Sequence, residues 1–134
     1  MKEPIWLQKN VVLAFHEMTL AEHGGLMGMR DEGLLDSALG RPINQYFYES
    51  ATLIDLAAAY AYGIIRNHPF LDGNKRTAFV SMKTFLLRNG TQLELPKAES
   101  IRVFFDLAAD QISEPVLAKW IGKHLGRPAK IKRS

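Results

Sequence analysis

The residues of this chain most able to do chemistry lie in one run, Asn67-His68-Pro69-Phe70-Leu71-Asp72-Gly73-Asn74-Lys75-Arg76-Thr77. His68 carries an imidazole, the side chain suited to taking a proton from a hydroxyl near neutral pH. Asp72 offers a carboxylate that can hold Mg²⁺ by one oxygen while phosphate groups supply others. Gly73 and Asn74 open a helix, and Lys75 and Arg76 follow in its first turn. Free N–H groups at a helix start, beside two cations, describe an anion pocket suited to phosphate. The cations are placed against the helix macrodipole, at a cost of roughly 0.3–1 kcal/mol each. A local rule broken in this way often marks a site. Each residue also has a plainer reading: His68 as a helix-ending histidine bonded to a carbonyl, Asp72 as an N-cap, Lys75 and Arg76 as solvated charges. Their joint occurrence favours the functional one.

Two elements must position this run, a helix before it and a helix after it. Pro69 disfavours α conformation at His68, so the first helix ends near Asn67. The same break argues against a metal pair made by His68 and Asp72 on one continuous helix. Phe70 is the apolar anchor that pins the loop to a core. The helix from Ala51 to Asn67 is apolar on nearly every side, which places it in the middle of a bundle. The following helix, about Asn74 to Asn89, sets Ala78, Met82, Phe85 and Leu86 on one side and closes at Gly90.

The remaining pattern is also helical. A first helix carries Val11, Val12, Phe15 and Met18 and ends at Gly24-Gly25. A second runs from Asp31, an N-cap, through Leu39 and stops before Pro42. Arg41 to Tyr48 is rich in aromatic residues and is predicted to be an extended flap. Two further helices span about Ala98 to Asp110 and Glu114 to Leu125, the latter with Pro115 in its first turn. The expected architecture is a compact all-α bundle of about six helices with one short extended flap. Gly24-Gly25-Leu26-Met27-Gly28 reads as a glycine-rich turn, and His16, His23 and His124 read as structural or surface groups.

Composition narrows the function classes. The 134 residues include no cysteine, which excludes a disulfide framework, a thiolate metal site and a cysteine nucleophile. The longest apolar stretch, Leu56 to Ile65, is about half of the roughly 20 residues a membrane span needs. The opening MKEPIWLQKN has no apolar run behind its lysine and does not read as a secretion signal. The net charge of +3 owes four positive charges to Arg127, Lys130, Lys132 and Arg133. The body without them is slightly acidic, so no basic face points to direct nucleic-acid binding. The chain is therefore expected to be one cytoplasmic domain over residues 1–126, with a basic tail over 127–134. No G-x-x-x-x-G-K-[ST] loop and neither H-R-D nor D-F-G is present, which excludes a recognisable Walker A site and the familiar protein-kinase signature.

The run from His68 to Ala78 resembles the motif of the Fic/Doc family, and its lysine form resembles the Doc (death-on-curing) branch. Ala21-Glu22-His23-Gly24-Gly25, Arg30 to Ala38 and Arg41-Pro42 also look like that branch, so the likeness covers about Trp6 to Leu125. The resemblance implies an all-α fold and a toxin of a type II toxin–antitoxin system. It implies that His68 deprotonates a target hydroxyl, that Asp72 binds Mg²⁺, and that Gly73, Asn74, Lys75 and Arg76 surround the phosphates of ATP. It further implies that Arg66, two residues before the histidine, assists at those phosphates. The flap at Pro42 to Tyr48 would dock an extended target segment by strand addition.

This sequence departs from the AMP-transferring Fic pattern at two positions. Lys75 stands where that pattern has glycine, and Phe79 where it has a second arginine. The resemblance ties these changes to ATP bound in the reversed sense and to transfer of its γ-phosphoryl group. It thus implies a protein Ser/Thr kinase, with elongation factor Tu as acceptor and arrest of translation as the outcome. An AMP-transferring enzyme and a non-catalytic module that binds nucleotide or nucleic acid are the alternatives. The inhibitory [ST]-x-x-x-E-[GN] helix of many Fic proteins is missing, because Gly28 stands where Ser or Thr is needed ahead of Glu32-Gly33. Restraint is then expected in trans, from an antitoxin of the prevents-host-death type.

Overall fold

The computed structural model describes residues 2–125, and the basic tail at 127–134 lies outside the described residues. Among the described residues six helices follow one another: α1 (Lys9–His23), α2 (Glu32–Tyr48), α3 (Leu53–Asn67), α4 (Asn74–Arg88), α5 (Lys97–Ala108) and α6 (Glu114–Lys123). No strand is formed among the described residues; pairing is limited to the isolated bridges Met29–Phe70 and Leu93–Leu125. The all-α bundle read from the sequence is what the chain adopts. No described helix is long and apolar enough to cross a membrane.

The centre of the bundle is α3, as its apolar circumference requires. Leu56 to Ala61 and Gly63 to Ile65 are all buried, and α2, α4, α5 and α6 pack around them. Its start is set by a capping box: the Thr52 hydroxyl accepts from the Asp55 amide, and the Asp55 carboxylate accepts from the Thr52 amide. Gly63 lets α2 approach closely, since a Cβ there would lie 3.2 Å from the Ala38 carbonyl oxygen. Tyr60 is buried but keeps a partner, its oxygen accepting from the Leu7 amide at 3.0 Å. Burial raises its phenol to about 12, and the Leu7 bond lowers it only partly. The extended segment before α1 is tied to the end of α4 by Asn89, which pairs with both the amide and the carbonyl of Ile5.

The predicted flap is not extended. α2 continues through Pro42 to Tyr48, so the second helix does not stop where the local proline rule puts it. An interior proline removes the bond to residue 38 and typically costs about 3 kcal/mol. Here tertiary contacts outweigh that cost. Pro42, Leu39 and Ala38 are buried, and a buried leucine side chain alone contributes roughly 1.5–3 kcal/mol. Arg41 forms an ion pair with Glu114 and lies over the Tyr62 ring, while Gln45 donates to Glu114 at 3.0 Å. Tyr46 meets Trp6 edge-on at 5.7 Å. These contacts require a helical register from residue 38 to residue 46, and the second helix and α6 are joined by it.

Candidate active site

The loop between α3 and α4 is shaped at both ends by left-handed residues. His68 caps α3 with φ 51° and ψ 57°, a conformation unusual for any residue with a side chain. Gly73 takes φ 81° ahead of α4, where glycine carries no steric penalty. Between them Pro69 and Phe70 are buried, Phe70 at 1% exposure. Asn74 locks the turn: the Phe70 amide donates to its Oδ1 at 3.1 Å, and its Nδ2 donates to the Phe70 carbonyl at 2.9 Å. Its side chain is thus buried and bonded to the loop through both its oxygen and its nitrogen, and its backbone N–H stands at the start of α4. Helix α4 has no side-chain cap, which leaves its first N–H groups for a ligand.

A second segment braces this loop, and the first part of it, Gly24 to Gly28, reads in the sequence only as a glycine-rich turn. The Leu71 amide donates to Gly28 at 3.1 Å, and the Arg30 and Asp31 amides donate to Pro69 at 2.7 and 3.0 Å. The Arg30 guanidinium donates to the carbonyls of His68 and Asn67, both at 2.7 Å, and so holds the end of α3. The non-helical segment beside the site is therefore residues 24–31, while Pro42 to Tyr48 is helical. Its signal lay in the glycine pattern: Gly24, Gly25 and Gly28 all have positive φ. At Gly25 a Cβ would stand 2.8 Å from Asp72 Oδ2. Gly25→Ala is expected to add roughly 1–3 kcal/mol of backbone strain and to push Asp72 aside. A lower melting temperature together with weaker divalent-cation binding, measured by calorimetry, would show both effects.

Asp72 is not the N-cap of α4. Its Oδ2 accepts from the Leu26 amide at 3.2 Å and its Oδ1 from the Gly73 amide at 3.0 Å. Those bonds, Leu26 first and then Gly73, hold the carboxyl below its ordinary 3.8; burial opposes them, and the charges of Lys75 and Arg76 add smaller contributions in the same direction as the bonds. A carboxyl depressed in the folded state stabilises it at any pH above that ordinary value, and the benefit is lost as pH falls through the folded-state value. As pH falls through and below the ordinary carboxylate value, Asp72→Asn is expected to lose less stability than the wild type, as read by thermal unfolding.

His68, Asp72, Gly73, Asn74, Lys75 and Arg76 all line one cleft of about 1110 Å³ between α1, α4 and α5. Lys83 and Lys97 add positive charge further along it, over an apolar floor that includes Phe15, Phe79 and Phe104. Arg66 is not among the lining residues; it pairs with Asp110 at 3.1 Å. His23 also lines the cleft, whereas His124 is bonded to the Trp120 carbonyl. No group of three or more His, Asp or Glu side chains converges among the described residues. A single ionised carboxylate fits Mg²⁺ of the kind that takes its other ligands from water and phosphate oxygens.

This loop, its brace and the helix start behind them fall inside residues 6–86, which match the model of the Fic/DOC family. The chain belongs to that family. Among its Fic/DOC relatives, Protein kinase doc of Escherichia phage P1 is 40% identical over 83 residues, covering 61% of this chain and 66% of that protein. Toxin Doc of Mycolicibacterium smegmatis (strain ATCC 700084 / mc(2)155) is 47% identical over 72 residues, covering 52% of this chain and 55% of the relative. The chain thus spans a little less than two-thirds and just over half of these two Fic/DOC proteins.

Proposed function

We propose that this protein is a toxin of a type II toxin–antitoxin system that phosphorylates a Ser/Thr hydroxyl of elongation factor Tu with ATP, arresting translation. The observation that carries the reading is the floor of the cleft beside α4. Phe79 stands where an AMP-transferring Fic sequence has its second arginine, and it packs edge-on against Phe104 at 5.2 Å, with Lys83 over its ring. An arginine clamp on the outer phosphates is therefore replaced by an apolar wall. Lys75, in the first turn of α4, brings a cation and bulk where that pattern leaves room. The phage P1 relative, named a protein kinase, supports the same direction.

The chemistry follows from positioning and charge. The start of α4, with Lys75 and Arg76, binds the phosphate groups of ATP. Asp72, held ionised by two backbone amides, is the carboxylate for Mg²⁺. Mg²⁺ when bound neutralises charge on the phosphate oxygens. His68 accepts the proton of the acceptor hydroxyl. That oxygen bonds to the γ-phosphorus as the bond to the β–γ bridging oxygen breaks, and ADP leaves. The activity is held in check by an antitoxin of the prevents-host-death type, a segment of which orders on binding this protein.

Intact-mass measurement of elongation factor Tu after incubation with the protein and Mg·ATP tests the reading. A gain of one phosphoryl group is expected. A gain of a nucleotidyl group would make the protein an AMP transferase, and an unchanged mass would remove elongation factor Tu as the acceptor.

A further inference from the structure

His16 is a buried titratable side chain that the proposed reaction leaves unused, with 6% of its surface exposed. It lies on the same face of α1 as Thr19 and Leu20, at helical spacing, and that face meets the loop between α3 and α4. Its ring stacks on Phe70, with centroids 3.8 Å apart and planes 10° apart. Its Nε2 stands 2.8 Å from the main-chain oxygen of Asp72. A carbonyl only accepts, so Nε2 carries the hydrogen in this bond. The Cδ2 edge of the ring faces Gly73, where a Cβ would come within 3.5 Å.

The peptide unit joining Asp72 to Gly73 is consequently gripped at both ends. His16 holds its oxygen, and the Asp72 carboxylate holds its N–H at 3.0 Å. The unit is planar, so neither end can turn without the other. Glycine at position 73 makes rotation of this peptide inexpensive. A rotated peptide would take the Gly73 N–H from the carboxylate and release that side chain to other rotamers.

We propose that His16 is a positioning residue, which fixes the Asp72 carboxylate for a divalent cation by holding the 72–73 peptide from the α1 side. The inference rests on the reading of Asp72 as the cation's carboxylate. His16 acts through the main chain and touches neither nucleotide nor acceptor.

Two substitutions separate its contacts. His16→Phe keeps a ring on Phe70 and removes the donor. His16→Gln supplies an N–H donor at a similar reach and removes the ring. Mn²⁺, titrated by electron paramagnetic resonance into protein with ATP, is the probe. Proton NMR of the Gly73 amide in protein without nucleotide is the second readout. His16→Phe is expected to weaken Mn²⁺ binding roughly tenfold, the scale on which groups that orient metal ligands act. The Gly73 amide should also shift upfield as its carboxylate bond is lost. His16→Gln should recover most of both effects. Mn²⁺ binding that is lost in Asp72→Asn but kept in His16→Phe would overturn this proposal alone, as would equal damage from Phe and Gln. Wild-type protein that binds no Mn²⁺ would overturn the reading of Asp72, and this proposal with it.

Discussion

His68→Ala protein should fold as the wild type does and transfer no measurable phosphoryl group. A positioned general base contributes roughly 10²–10⁴ in rate, so its loss takes a slow transfer below detection. Affinity for ATP should change little, because the proposed reading gives the phosphates to α4 and its cations rather than to the imidazole. The fold should survive because His68 is exposed. The backbone supplies a sharper control. A residue with a Cβ in the left-handed region costs roughly 1–2 kcal/mol, and His68 sits there at φ 51°. His68→Gly should therefore lose activity as fully as His68→Ala while gaining about 1 kcal/mol in stability. A position that becomes more stable and inactive together is one where the side chain is kept for chemistry. Calorimetric unfolding beside a transfer assay reads both quantities. A His68→Ala protein that labelled its target near the wild-type rate would remove the histidine from the reaction.

Asp72→Ala should raise the Mg²⁺ concentration needed for half-maximal transfer and lower turnover at saturation by roughly 10²-fold, the scale of removing one preorganised electrostatic contact. Two losses combine in it. The carboxylate is gone as a ligand, and the Leu26 and Gly73 amides lose the acceptor that draws residues 24–31 onto the loop. Asp72→Asn separates them, since one amide oxygen can still accept while the charge is absent. Asn should therefore match Ala in its Mg²⁺ requirement yet keep more of the loop's order, measured as amide hydrogen exchange at Leu26. An Asp72→Ala protein with an unchanged Mg²⁺ requirement would exclude this carboxylate from the metal.

The sequence was most legible where its signals are local. Pro69 marks the end of α3 within a residue, and the apolar circumference of residues 53–65 identifies the central helix before any contact is known. Gly73, Asp72, Lys75 and Arg76 are adjacent in the chain, so their gathering at one end of a cleft follows from one turn. Pro42 shows where local rules fail. A proline ordinarily ends a helix, but Glu114, Tyr62 and Trp6 reach the helix from far along the chain and reward its continuation. His16 reads from the sequence as a structural or surface histidine, because nothing near it in sequence is chemical. Its partner Asp72 lies 56 residues away, a separation that no periodicity encodes. The brace at residues 24–31 was hidden for the same reason, although its glycines betray a backbone that a Cβ would obstruct. Arg66, which the resemblance assigns to phosphate, is paired with Asp110 on the turn after α5.

The most direct test uses two radiolabelled ATPs, one marked at the α- and one at the γ-phosphate, each with Mg²⁺, elongation factor Tu and either wild-type or His68→Ala protein. Label carried to the acceptor from the γ position alone, and absent with His68→Ala, is the predicted result. Label carried from the α position would contradict it, because it would mean that Lys75 and Phe79 still admit the pose that transfers AMP.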